Sequence, residues 1–146
     1  MKGRPKVTRI QLDDHIDYEF AIFGLVSTEA DYKLSQLLNK KLKIALKNIE
    51  TIDLPGVGGI KLSFSRFADT SGSPEISFNL ISNRSNKNWL LKKLKKIDYF
   101  FRINSADSKC NIEQITSILR EIDRITAVFN LDPKEIKDKH LVYLTL

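Results

Sequence analysis

The fold is decided by residues 60 to 80, which read IKLSFSRFADTSGSPEISFNL. Apolar side chains alternate with polar ones on both sides of a turn made of Ser, Gly, Ser and Pro at residues 71 to 74. Alternation with a period of two predicts β-strands, and two such runs around this turn predict an antiparallel hairpin. We therefore expect one face of each strand to be buried.

Strand patterns continue on both sides of this hairpin. A nearly continuous apolar run from Tyr18 to Val26 predicts a central strand, and residues 126 to 131 predict another. Apolar residues recur at every second position from Ile97 to Ile103, which predicts a further strand. Residues 44 to 54 indicate one or two short strands that end at Pro55 and Gly56.

Two stretches have the apolar spacing of amphipathic helices. Leucines three and four residues apart predict a helix from about Glu29 to Lys41, capped by Ser27 or Thr28. A second apolar series from Ile112 to Ile122 predicts another helix, which Asn111 can cap.

The end of the chain predicts two smaller elements. Asp132 and Pro133 supply a capping carboxylate and a first-turn proline, which indicate a short helix, and residues 141 to 146 are expected to form a last strand. Two helices among mostly hairpin-connected strands predict an α+β fold. We expect residues 8 to 146 to form a single domain, a mostly antiparallel sheet of about five to seven strands with two main helices on one face. Residues 1 to 7 should form a basic flexible arm.

The composition is that of a folded protein with no membrane span. Hydrophobic residues make up 42% of the chain and charged residues 29%, and the longest apolar runs are far shorter than the roughly 20 residues that a transmembrane helix needs. The only cysteine, Cys110, has no partner for an internal disulfide, and two histidines do not form a common zinc pattern. We expect a cytoplasmic protein without metal or cofactor.

A lysine cluster is the most visible candidate for a binding surface. The net charge is +6, which favours acidic partners such as RNA or an acidic protein. Four lysines alternate with spaced apolar residues and can bind phosphates: Lys92, Lys93, Lys95 and Lys96. The alternative interpretation is a solvated face over buried leucines, or lysines that protect a sheet edge. A second basic group contributes only if folding brings it beside the first: Lys40, Lys41, Lys43 and Lys47.

Other patterns allow both a functional and an ordinary structural interpretation. Aromatic residues next to Arg66 and Arg102 fit base stacking, or core packing of alternating strands. The acidic residues near His15 are either metal ligands or the polar entry to a strand. The glycines from 56 to 59 precede a predicted strand, which favours a hairpin turn over a phosphate loop. Neither histidine nor Cys110 stands in a nucleophile motif, so we predict no catalytic residue.

Residues 90 to 100, LLKKLKKIDYF, resemble the signature of the bacterial IPExxxVDY family, whose final triplet matches Ile97-Asp98-Tyr99. Similarity extends to Asp31-Tyr32, to residues 64 to 67 and to residues 80 to 83. Lys92 and Lys93 stand where the family has proline and glutamate, so a role for that glutamate does not carry over. The resemblance implies a single-domain bacterial cytoplasmic protein without an established activity. It also makes Asp98 the acidic residue of most interest.

The sequence therefore favours a non-enzymatic binding or adaptor module that contacts a macromolecule, with a protein partner preferred and RNA as the alternative. A small-molecule sensor or an enzyme with a pocket between helices and sheet is the second alternative. The candidate interaction surface consists of Lys92, Lys93, Lys95, Lys96, Asp98 and Arg102. The pattern does not determine the oligomeric state.

Overall fold

The computed structural model describes residues 20–71, 76–105 and 112–145. Outside this part of the chain lie the predicted arm at residues 1 to 7, the acidic residues near His15, residues 72 to 74 of the predicted hairpin turn, Cys110 and the predicted helix cap Asn111. The strands are β1 (Phe20–Val26), β2 (Lys47–Pro55), β3 (Lys61–Asp69), β4 (Ile76–Ser82), β5 (Arg84–Ser85), β6 (Asn88–Trp89), β7 (Tyr99–Ser105) and β8 (Ala127–Leu131). The helices are α1 (Asp31–Leu42), α2 (Ile112–Arg120) and the single turn α3 (Val142–Thr145).

Six strands form one antiparallel sheet in the order β2-β3-β4-β7-β1-β8. The two short strands β5 and β6 pair with each other in a separate ribbon. The predicted hairpin is confirmed as β3 and β4, and the apolar run that ends at Val26 is confirmed as an interior strand, with β7 on one side and β8 on the other. The α+β fold with a mostly antiparallel sheet is therefore confirmed.

One face of the sheet, the helix face, is covered by α1 and α2 as predicted. Leu34 and Leu38 of α1 and Leu119 of α2 have no exposed surface and pack against Phe23 and Phe101. Helices with an apolar stripe stabilise a sheet by removing this surface from water. This side of the core is continuous across the sheet.

The other face, the loop face, is also buried, which the sequence analysis did not predict. Ile22 and Phe100 are fully buried there, beneath the segment Leu90–Ile97 and Leu144 of α3. An interior strand that is buried on both faces has a continuous apolar sequence instead of an alternating one. This explains the uninterrupted run in β1.

Two local predictions were wrong. Helix α1 begins at Asp31 with Ala30 as its N-cap and without a side-chain cap, because the Ser27 amide donates to Asp98 and the Glu29 carbonyl accepts from Tyr99. These bonds hold residues 27 to 29 to the sheet, so Thr28 does not cap the helix. The predicted C-terminal strand is instead a 3-10 turn, Lys139–Leu141, followed by α3.

The helical C-terminus has a local cause. The Asp138 carboxylate accepts a hydrogen bond of 2.9 Å from the His140 amide, which caps the 3-10 turn. The His140 ring lies with Nδ1 2.8 Å from the Leu90 carbonyl oxygen and therefore ties this segment to the loop-face cover. The short helix predicted after Asp132 is confirmed as a 3-10 turn, Pro133–Glu135. The Asp132 carboxylate caps it by accepting a hydrogen bond from the Lys134 amide.

Candidate functional site

The lysine cluster lies on a 3-10 turn, Lys92–Leu94, and on the two turn residues that follow it, and this segment covers the loop face. Its apolar residues Leu91, Leu94 and Ile97 are spaced by three, and the amides of Leu94 and Ile97 donate to the carbonyls three residues earlier. A 3-10 helix has three residues per turn, so these side chains share one side. Leu91 is 0% exposed and Ile97 is 4% exposed, and the four lysines between them face solvent.

Asn83 holds this turn in position from below. Its side-chain oxygen accepts from the Leu91 amide at 2.7 Å, and its side-chain nitrogen donates to the carbonyls of Leu94 (3.0 Å) and Ile97 (2.8 Å). The residue is fully buried. A buried amide with three main-chain partners fixes a loop as regular secondary structure would. The sequence analysis did not identify this role of Asn83.

Gly24 of β1 brings the turn close to the sheet. A Cβ at Gly24 would overlap Ile97 Cδ1, so only glycine allows the Ile97 side chain to lie directly on the strand. In the sheet register, Gly24 pairs with Phe129 and Ile22 pairs with Leu131. The lysine turn is therefore next to the loop-face side chains of β8.

A groove runs between the lysine turn and β8. It has a volume of about 500 Å³ and is lined by six consecutive residues, 92 to 97, together with Phe129 and Leu131. Phe129 is 45% exposed. The groove, here called the lysine groove, thus has an apolar floor and four lysines around it.

The charge of the lysine groove is not compensated within its lining. No lining residue is acidic, and none of the four lysines forms an ion pair with a residue in the described part of the chain. Lys95 places its ammonium 5.3 Å from the centre of the Trp89 ring, a cation–π contact. Four like charges near an apolar surface attract an anionic ligand that also carries apolar groups.

Asp98 and Tyr99 follow directly in sequence but point away from the lysine groove. Asp98 accepts from the Ser27 amide at 2.9 Å and pairs with Arg84 Nε at 3.4 Å. The Tyr99 hydroxyl donates to the Glu29 carbonyl at 2.6 Å, and burial raises the pKa of Tyr99 to about 12. These residues line a separate polar concavity of about 300 Å³. The Asp98 carboxylate and the Tyr99 hydroxyl therefore interact with other residues of this domain.

Arg102 also lies outside the lysine groove. It is 7% exposed, donates from Nε to Asn104 Oδ1 at 2.7 Å, and stacks 4.9 Å from the Phe20 ring centre. Burial lowers the pKa of its guanidinium. Of the six candidate residues, the structure brings the four lysines together and places Asp98 and Arg102 elsewhere.

The second basic group does not join the first. Lys40 and Lys41 lie on α1 over the helix face, and Lys47 starts β2, which is at the opposite end of the six-stranded sheet from β8. The aromatic residues considered for base stacking are core residues: Phe64, Phe67, Tyr99, Phe100 and Phe101 are at most 8% exposed. The glycine-rich turn Val57–Gly59 precedes β3 and is therefore a hairpin turn.

Phe129 and Leu131 are groove residues that the sequence analysis did not identify. Strand alternation places both on one face of β8, which was predictable. Their position beside the lysine turn follows from the pairing of β8 with β1 and from the Gly24–Ile97 contact. No local pattern encodes either feature.

In the described ranges, no group of three or more His, Cys, Asp or Glu side chains is arranged to hold a metal ion. The longest helix there has 12 residues, and none is both long and apolar enough to cross a membrane. No family model matches the chain, and no curated protein matches it.

Proposed function

We propose that this domain is a non-enzymatic binding module that contacts an acidic protein partner through the lysine groove. The observation that carries the proposal is the combination, in one concavity, of a half-exposed phenylalanine with four exposed lysines that form no ion pair with a described residue. Charge complementarity accelerates association, and apolar anchors that lose contact with water provide most of the affinity.

The arrangement of charge supports a protein partner over RNA. An RNA strand is held by basic residues that follow its backbone and by aromatic rings that stack on its bases. Here the second basic group lies on and after α1 and at the far edge of the sheet, away from the lysine turn, and the aromatic rings of the sheet interior are buried. A partner of limited length, with its own apolar residue, matches the lysine groove better.

An affinity pull-down from the source cell, with and without ribonuclease, tests this proposal. We expect a protein partner that survives ribonuclease and is lost when Lys92, Lys93, Lys95 and Lys96 are all changed to glutamate. The control has the same change in net charge at the second basic group, Lys40, Lys41, Lys43 and Lys47, on and after α1 and at the far edge of the sheet, and should retain the partner. Retention by the first variant would contradict the proposal.

RNA binding is the second candidate, favoured by the concentration of four lysines on one turn. It predicts retention on an RNA column that decreases steeply with salt, because each phosphate contact releases counterions. The glutamate changes in the lysine turn should abolish this retention. Partner loss after ribonuclease treatment would favour RNA over protein.

We also propose a cytoplasmic location and membership of the IPExxxVDY family. Support for the family comes from the match at Ile97-Asp98-Tyr99. Asp98 and Tyr99 join the start of β7 to residues 27 and 29 by hydrogen bonds. A change at either position would remove one of these bonds, which gives both residues a structural role.

A further inference from the structure

We infer that the lysine groove binds a short linear segment of a partner protein in which one large apolar side chain stands between carboxylates. This inference rests on the proposed function and specifies its ligand.

The apolar side chain fits the floor between β8 and the turn. Phe129 and Leu131 project from the same face of β8, and Leu94 and Ile97 face them from the turn. The volume of about 500 Å³ lies within the ~300–1,000 Å³ of typical ligand sites. Phe129 is 45% exposed, so an aromatic or leucine side chain placed there removes apolar surface from water on both partners.

The carboxylates pair with the lysines around this floor. Lysine has a long flexible stem, so its ammonium can follow a ligand while the methylene groups cover the apolar floor. Carboxylates on both sides of the apolar residue use lysines at both ends of the turn, Lys92 and Lys96. The choice of an acidic ligand follows because every charged residue in the lining is a lysine.

Two other concavities show why the lysine groove differs. The polar concavity near Tyr99 contains the Arg84–Asp98 pair at 3.4 Å, and the concavity beside α1 contains the Arg124–Glu29 pair at 3.2 Å. In both, a carboxylate belongs to the lining and is paired with an arginine. An anionic ligand would meet that carboxylate in either concavity, whereas the lining of the lysine groove contains none.

Calorimetric titration of the full-length chain with synthetic peptides tests the inference. The peptides carry two glutamates on each side of a central residue that is phenylalanine, leucine or alanine, and a fourth peptide has lysines around phenylalanine. We expect the first two to bind, the alanine peptide to bind at least about tenfold more weakly, and the lysine peptide not to bind. The chain has a single tryptophan, Trp89, and binding that moves Lys95 should change its fluorescence.

Two matched substitutions locate the apolar contact. Phe129→Ala should weaken the phenylalanine peptide by about tenfold or more and leave the alanine peptide nearly unchanged. Tyr32→Ala is the control, because Tyr32 is similarly exposed at 54% and lies on α1, away from the loop face. It should have no effect on either peptide.

The outcomes separate the inference from the proposed function. Equal affinity for the phenylalanine and alanine peptides, or no effect of Phe129→Ala, overturns the apolar anchor while the pull-down can still support an acidic partner. The acidic residues near His15 are Asp13, Asp14 and Asp17. If the peptides bind more tightly after these three are changed to asparagine, the groove would be assigned to this acidic segment of the chain itself, and the inference would be overturned. If no peptide binds and the lysine-turn variant keeps its partner, both fail.

Discussion

The two faces of the sheet are covered in different ways, and the difference explains where a binding site can form. On the helix face, α1 and α2 cover the interior strands with apolar stripes. On the loop face, the cover is a chain segment without regular strand or long helix, Leu90–Ile97, together with the C-terminal turns. This cover ends beside β8 and leaves Phe129 half exposed. A site therefore lies at the boundary of the less regular cover.

Each cover also has a polar residue that attaches it to the sheet. Asn83 holds the loop-face turn through three main-chain bonds, and Asn39 holds the exit of α1 through two bonds to Leu46. We therefore expect the stability of the loop-face cover to depend more strongly on the Asn83 side chain than the stability of the helix-face cover depends on Asn39.

The largest expected effect comes from Asn83→Ala. This change leaves the Ile97 carbonyl and the Leu91 amide without the Asn83 partner in a buried site and removes one of the two bonds to the Leu94 carbonyl. We expect the free energy of unfolding to fall by about 3–5 kcal/mol. Asn39→Ala, which removes two bonds in a half-buried site, should cost about 1–2 kcal/mol. Urea denaturation followed by circular dichroism measures both. Equal losses would remove the proposed difference between the two covers.

The next effect concerns alkaline pH and Tyr99, which packs in the helix-face core. Its pKa is about 12 in the folded chain and near 10 when unfolded. Between these pH values the unfolded chain releases the proton first, so stability is complete below pH 10 and falls as pH rises to 12. The loss should reach about 2–3 kcal/mol.

Tyr99→Phe is the matching variant. It should cost about 1 kcal/mol at neutral pH, where the bond to the Glu29 carbonyl is lost, and it should remove the tyrosine-dependent part of the alkaline loss. Denaturation at a series of pH values compares the two proteins. Parallel curves above pH 10 would show that Tyr99 does not titrate as described.

The smallest effect tests the contact that brings the lysine turn onto β1. Gly24→Ala forces the Ile97 side chain away from the strand, and we expect a loss of about 1–2 kcal/mol. Ile97→Val removes the overlapping Cδ1 atom, so Gly24→Ala should cost less in that background. A double-mutant cycle measures this coupling. Additive losses would contradict the contact.

The sequence predicted the elements whose signals are local. The hairpin of β3 and β4 follows from alternation around a turn, the strand β8 from its apolar residues, and the exposed lysines from leucines and isoleucine spaced by three. The start of α1 was missed because the amide of Ser27 is bound by a residue that is 71 positions away, Asp98. A capping pattern considers only neighbouring residues, so it does not predict a hydrogen bond to a residue that is this far along the chain.

The candidate site was predictable in part for the same reason. The four lysines form one continuous segment, so their proximity required no knowledge of the fold. Phe129 joins them only through strand pairing, and Asn83 positions them only because its amide is buried below the turn. Both depend on contacts between distant segments. The continuous apolar run of β1 was interpreted as a central strand, and its burial on both faces was not predicted from it.

The type of turn that carries the lysines sets their linear charge density. The 3-10 turn covers Lys92–Leu94, and a second bond to a carbonyl three residues earlier extends the turn to Ile97. At about 2 Å of rise per residue, one apolar residue is followed by two lysines in every ~6 Å. An extended polypeptide repeats its side chains on one side every ~6.8 Å. Acidic residues at alternate positions of an extended chain would therefore meet the two lysine pairs at nearly the same spacing.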